Sequence, residues 1–140
     1  MSIKPIVLCV DDLPENLRIR AMLLNQFGYE TVTATDRQSA LHAMEARHID
    51  LLLIDYHLAR GETGEEIALD ARALQPGLRI IMLTGDARIP DSARDCVDEV
   101  MIKGQGGPSA LLDMIQKLLP EFKIRSRCAR PIPDPKREAS

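Results

Sequence analysis

Short apolar runs and longer stretches of helical periodicity alternate five times along this chain, and that alternation leaves few folds open. The apolar runs lie at Pro5 to Val10, Glu30 to Ala34, Asp50 to Ile54, Leu78 to Leu83 and Val97 to Ile102. Helical stretches follow at Pro14 to Phe27, Asp36 to Ala46 and Gly64 to Leu74, then a weaker one around Pro90 to Arg94, and last Pro108 to Leu119. Ile6-Val7-Leu8-Cys9-Val10 and Leu51-Leu52-Leu53-Ile54 are apolar on both faces, the pattern of parallel strands covered by helices on either side. Punctuation agrees: Pro14 suits a first helical turn with Asp12 upstream as its expected cap, and Gly28 stands just past Phe27 as a terminator. Asp36 precedes an amphipathic run with Ala40, Leu41 and Met44 on one face, and Pro76-Gly77 breaks the chain before the fourth strand. Five βα units with short connections imply right-handed crossovers and an α/β fold, a doubly wound (βα)5 three-layer sandwich. With five strands the flavodoxin-like parallel order 2-1-3-4-5 is expected.

Length and composition narrow the classes. A chain of 140 residues fits one domain at roughly 100–200 residues each. The boundaries expected are 4–119 for the domain and 120–140 for a basic, proline-rich tail or linker without fixed structure. The longest wholly apolar runs fall far short of the ~20 residues of a membrane-spanning helix. The N-terminus lacks the longer apolar region and cleavage site of a secretory signal, so a cytoplasmic protein without a membrane partner is expected. Cys9, Cys96 and Cys128 have no CxxC pair and no His at ligand spacing, which speaks for reduced thiols and against zinc. Residues 1 to 120 hold 12 Lys and Arg against 18 Asp and Glu, whereas residues 121 to 140 hold 6 against 3. An acidic body argues against the basic face of a nonspecific nucleic-acid binder. Twenty residues beyond the last helix are too few for a helix-turn-helix or catalytic output domain, so no direct DNA binding is expected.

In such a sheet, ligands bind outside the carboxyl ends of the strands. The first strand ends in Asp11-Asp12, the third in Asp55, the fourth in Thr84-Gly85-Asp86 and the fifth in Lys103-Gly104. Three crowded carboxylates repel, and a hard divalent cation such as Mg²⁺ is their natural guest. A lysine and a threonine facing the same point supply a charge and a donor for phosphoryl oxygens. Aspartate is also a nucleophile toward phosphorus. Asp55, alone after the strand expected near the sheet centre, is the candidate nucleophile, and Asp11 and Asp12 read as metal ligands.

With these five residues in order at strand ends, the chain resembles the receiver domains of two-component response regulators over about residues 4 to 119. The resemblance implies that Asp55 accepts a phosphoryl group from a phosphohistidine, on a sensor histidine kinase or a phosphotransfer protein. It implies that Asp11, Asp12, Asp55 and the backbone carbonyl of His57 hold Mg²⁺, and that Thr84 and Lys103 bind the phosphoryl oxygens. Phosphorylation adds roughly −1.5 to −2 charge, which Thr84 and Lys103 follow inward, and the altered surface meets a downstream protein of unstated identity or a second copy in a homodimer. On this reading the chain is a signalling phosphoacceptor and no turnover enzyme, with at most self-phosphotransfer and autodephosphorylation.

Departures from the family pattern stand beside it. Lys103 is followed by Gly104-Gln105-Gly106-Gly107 where the family usually has proline at once, and Val100 stands where a switch aromatic is common. The segment from His57 to Gly64 is one residue longer than usual, and the helix after the fourth strand reads as short. His57 itself reads as an exposed loop imidazole, and His42 and His48 carry no chemistry. A scaffold that binds partners without phosphorylation is the alternative. An aspartate-nucleophile phosphatase is disfavoured by His57, which stands where a second Asp is usual, and a flavin protein by Asp11-Asp12 in place of a phosphate-cradling loop.

Overall fold

The computed structural model describes residues 4–86 and 88–120, and within them the five apolar runs pair as one parallel sheet. Its strands are β1 (Ile6–Val10), β2 (Glu30–Ala34), β3 (Leu51–Asp55), β4 (Arg79–Thr84) and β5 (Glu99–Ile102). The helices between and after them are α1 (Pro14–Gln26), α2 (Arg37–Ala46), α3 (Gly64–Leu74), α4 (Asp91–Asp95) and α5 (Gly107–Leu118). The order β2-β1-β3-β4-β5 is the expected one. All but the first residue of the tail expected at 120–140 lie outside the described residues.

The two-residue period of each strand divides its side chains between two apolar layers. Leu8 and Val10 of β1, Leu52 and Ile54 of β3 and Ile80 of β4 pack with Ala40 and Met44 of α2 and Ile67 and Ala71 of α3. Val7 and Cys9, Leu51 and Leu53, and Ile81 and Leu83 point the other way, against Leu17 and Leu24 of α1 and Ile115 of α5. At about 1.5–3 kcal/mol for each large aliphatic side chain taken from water, these layers hold the sheet between its helices.

Helix starts differ in their chemistry. Asp36 caps α2, its Oδ1 accepting the Ser39 N–H at 2.8 Å while Ser39 Oγ accepts the Asp36 N–H at 3.3 Å. Asp36→Ala is expected to lower stability by about 1 kcal/mol, visible as a lower urea midpoint at unchanged slope. Asp12 does not cap α1. The cap position is Leu13, without a side-chain acceptor, and Pro14 at the first helical position removes one of the unpaired donors of that turn. The Leu13 N–H is met instead by Asp11 Oδ1 at 2.9 Å.

β3 and β4 each run one residue past their apolar stretch, because Asp55 pairs with Leu83 and Thr84 with Ile102. These extensions carry the polar residues of the rim in regular strand geometry.

Candidate functional site

Among the described residues, the buried polar or charged side chains are Asp11, Asp55 and Thr84, all at the carboxyl rim of the sheet. Buried carboxylates are costly unless hydrogen-bonded or paired, so their partners show how the fold accommodates them. Asp11 follows β1 and is fully enclosed. Besides the Leu13 N–H on Oδ1, its Oδ2 accepts from Arg20 Nη1 at 2.9 Å and Asn16 Nδ2 at 3.3 Å. Burial pushes the Asp11 carboxyl upward in pKa, but the Leu13 N–H and the Arg20 guanidinium outweigh it and hold the group below its ordinary value.

Asp55 closes β3, next to β1 in the sheet. Lys103 Nζ lies 2.7 Å from its Oδ1 and 2.9 Å from its Oδ2. Here burial wins: the Asp55 carboxyl is raised, with the Asp11 charge adding to the rise and Lys103 opposing it. Asp12 is half-buried, and one carboxylate oxygen each from Asp11, Asp12 and Asp55 lie within 4.8 Å of one another. Three hard oxygen donors this close, with a net excess of negative charge, suit a small divalent cation.

Thr84 ends β4 with its hydroxyl engaged in its own loop, donating to the Asp86 carbonyl at 2.8 Å and accepting the Asp86 N–H at 3.2 Å. Lys103 is placed by its backbone, whose N–H donates to the Thr84 carbonyl at 2.8 Å. The chain then turns through Gly104, Gly106 and Gly107, all at positive φ (85°, 78° and 67°), where a side chain would be strained. Asp86 pairs on the surface with Arg88 at 3.2 Å, which lowers its pKa.

His57 is exposed, its ring edge-on to Tyr56 at 4.8 Å between centroids, and its backbone bridges Thr63. The loop between them holds a 3-10 turn, Ala59–Gly61, with Arg60 in the left-handed region at φ 63°. Tyr56 also borders a small apolar cluster of Met82, Ile89, Ala93, Val97 and Val100. Val100 thus fills the position where the resemblance expected an aromatic, and the aromatic ring of this cluster comes from Tyr56 instead. α4 is short, as expected, at five residues.

Sequence reasoning missed Arg20 and Asn16. Arg20 stands three residues after buried Leu17 and four before buried Leu24, so it belongs to the core-facing stripe of α1. A cation in such a stripe is the signal that a buried acid lies opposite.

A doubly wound sheet with buried acids at its switch point is the architecture of receiver modules in two-component signalling. The family model for the response regulator receiver domain matches residues 7–103, and the chain belongs to that family. The sensor histidine kinase RcsC of Escherichia coli is 32% identical over 124 residues, which cover 89% of this chain and 13% of RcsC. The chain therefore corresponds to a small part of that relative. Among solved structures, a CheY-like receiver domain protein from Methanospirillum hungatei JF-1 superposes with a TM-score of 0.78 at 28% identity, over 86% of this chain and 97% of that one. TrrA from Thermotoga maritima, a response regulator solved in complex with Mg²⁺-BeF, gives 0.74 at 28% identity, over 82% and 99%. No helix among the described residues is long and apolar enough to cross a membrane.

Proposed function

We propose that this receiver domain is a phosphoacceptor in a two-component relay, with Asp55 as the residue modified. The observation that carries this reading is the setting of Asp55: buried at the end of β3, bound through both oxygens by Lys103, and next to the carboxylates of Asp11 and Asp12. An Asp55 oxygen attacks the phosphorus of a phosphohistidine on a sensor kinase or phosphotransfer protein. The P–O bond forms, the P–N bond breaks, and the electron pair leaves on the imidazole nitrogen, which takes up a proton. Asp11, Asp12, Asp55 and the His57 carbonyl would hold Mg²⁺. When bound, that ion neutralises phosphoryl charge and so lets an anionic donor meet an acidic site.

Lys103 then exchanges the Asp55 carboxylate for a phosphoryl oxygen, and Thr84 exchanges the Asp86 carbonyl for another. Both exchanges pull on β4, β5 and the loops that follow them, and the altered surface is what a downstream protein, or a second copy, recognises. The donor is consumed one for one, so the chain is a signalling component and no turnover enzyme. Its setting would be the cytoplasm, where kinase domains present phosphohistidine.

The test is intact-protein mass after incubation with an acyl phosphate, with and without Mg²⁺, alongside Asp55→Asn. The expected result is one added phosphoryl group that requires both Asp55 and the metal. Failure to take up phosphate from the small donor and from a phosphohistidine protein alike overturns the reading and leaves a scaffold that binds partners unmodified.

A further inference from the structure

We propose that Arg20 is an internal competitor for the divalent cation at Asp11, and that it sets how much metal the site requires. The inference rests on the reading of Asp11, Asp12 and Asp55 as metal ligands and concerns the regulation of that same site.

The geometry of Asp11 carries it. Leu13 N–H occupies Oδ1, and Arg20 with Asn16 occupies Oδ2, so both oxygens of the innermost carboxylate already have donors. Each carboxylate oxygen offers two lone pairs, so Oδ2 is filled by its two donors, and a divalent ion bound at Oδ1 would stand close to the Arg20 guanidinium that shares the same carboxylate. The Leu13 N–H belongs to the backbone entering α1 and is fixed by the helix. The Arg20 guanidinium is the end of a flexible stem, and its side chain is only 14% exposed. It also has somewhere to go. A cavity of about 350 Å³ opens between α1 and the segment joining β5 to α5, lined by Arg20 itself with Asn16, Leu23, Leu83, Lys103 and Gly104 among others.

Charge gives the same answer. Asp11, Asp12 and Asp55 bring three negative charges, and Arg20 and Lys103 return two, so the metal-free rim is nearly balanced. A dication added on top overshoots, and withdrawal of Arg20 from Asp11 relieves the excess. Arg20 therefore stabilises the metal-free protein and weakens metal binding by the repulsion between its guanidinium and the ion on the same carboxylate.

The experiment is isothermal titration of MgCl2 into the full chain and its Arg20→Met variant, with Arg20→Lys and Arg20→Gln beside them. Removal of a cation this close to the ion predicts about ten- to hundredfold tighter Mg²⁺ binding for Arg20→Met. Arg20→Gln is expected to shift in the same direction, and Arg20→Lys to stay near the parent. Far-UV circular dichroism establishes that each variant is folded, and Arg20→Gln decides the matter if Arg20→Met is not. Without metal the Arg20→Met chain melts earlier, and Mg²⁺ raises its Tm by more than it raises the parent's. Binding by the variant but not by the parent supports the proposal in its strongest form. Equal or weaker binding by folded Arg20→Met and Arg20→Gln overturns it while leaving the metal site intact. Absence of binding in every chain overturns the metal reading and this proposal together.

Discussion

Gly64→Ala is expected to lower stability by about 2–3 kcal/mol and the Tm by about 10 °C. A Cβ at Gly64 would stand 2.5 Å from the Asp55 carbonyl oxygen, and 3.2 Å from both Asp55 C and Tyr56 Cα. Every one of those atoms is backbone, so no rotamer change relieves the clash. The start of α3 lies this close because the Gly64 N–H donates to the Tyr56 carbonyl at 2.7 Å, clamping the helix onto the end of β3. Relief requires the strand end to shift, and the Asp55 carboxylate moves with it, away from Lys103. Phosphoryl uptake should therefore slow as well as stability fall. Gly77→Ala is the control, since a Cβ there meets nothing within 4 Å, and its effect should stay within about 0.5 kcal/mol. Thermal melts of the two variants separate a steric role for Gly64 from a general loss of glycine. Equal Tm values for both would refute the clamp.

Lys103→Met should cost about 2 kcal/mol at pH 7, with the loss shrinking as the pH falls toward 4. Removing one partner of a buried pair typically costs 3–5 kcal/mol, and the 37% exposure of the lysine side chain lowers the figure through solvent screening. The pH dependence follows from Asp55. Burial already raises its folded pKa above the unfolded value, and Lys103 opposes that rise, so removal of the lysine raises it further. A carboxyl with a raised folded pKa binds more protons in the native state than in the unfolded one, and stability falls as pH rises through that window. Below the window both states are protonated and the missing ammonium no longer matters to this pair. Addition of Asp55→Asn to Lys103→Met should restore most of the loss at neutral pH, because no buried charge is then left alone. Urea midpoints of the single and double variants at pH 4 and 7 measure this, and a loss independent of pH would refute the pairing argument.

Much of this fold is written in apolar runs. Residues 6–10 and 51–54 are apolar on both faces, a pattern that parallel strands between helices require, and they form β1 and β3. The strand ends were less legible, since Asp55 and Thr84 are polar and belong to their strands only through pairing with neighbours. β5 starts two residues later than its apolar run suggests, because Asp98 turns its carboxylate back to the Ile80 N–H at 2.7 Å and Arg72 at 3.0 Å. The rim residues were found because the topology brings strand ends together. Their partners could not be found that way. Whether a helical arginine lies on the wet or the dry face depends on packing, and Arg20 shows its place only beside Leu17 and Leu24. Likewise Asp11 and Asp12 are adjacent letters, yet one is enclosed and holds the loop while the other stands half open.

Cys9 lies within β1, flanked by β2 and β3, with no exposed surface, and burial pushes its thiol up to about 12. An alkylating reagent attacks the thiolate, so in the closed molecule this sulfur is protected twice, by lack of access and by lack of charge. Its side chain lies in the layer beneath α1 and α5, so fraying of a helix end or opening of the glycine loop does not expose it, whereas lifting of these helices from the sheet does. The rate at which Cys9 becomes labelled, read by peptide mass, is thus a clock for opening of the layer between the sheet and α1 and α5 under native conditions. It ticks without denaturant, and Mg²⁺ or a phosphoryl group at the rim should slow it in proportion to how much each favours the closed molecule over the opened one.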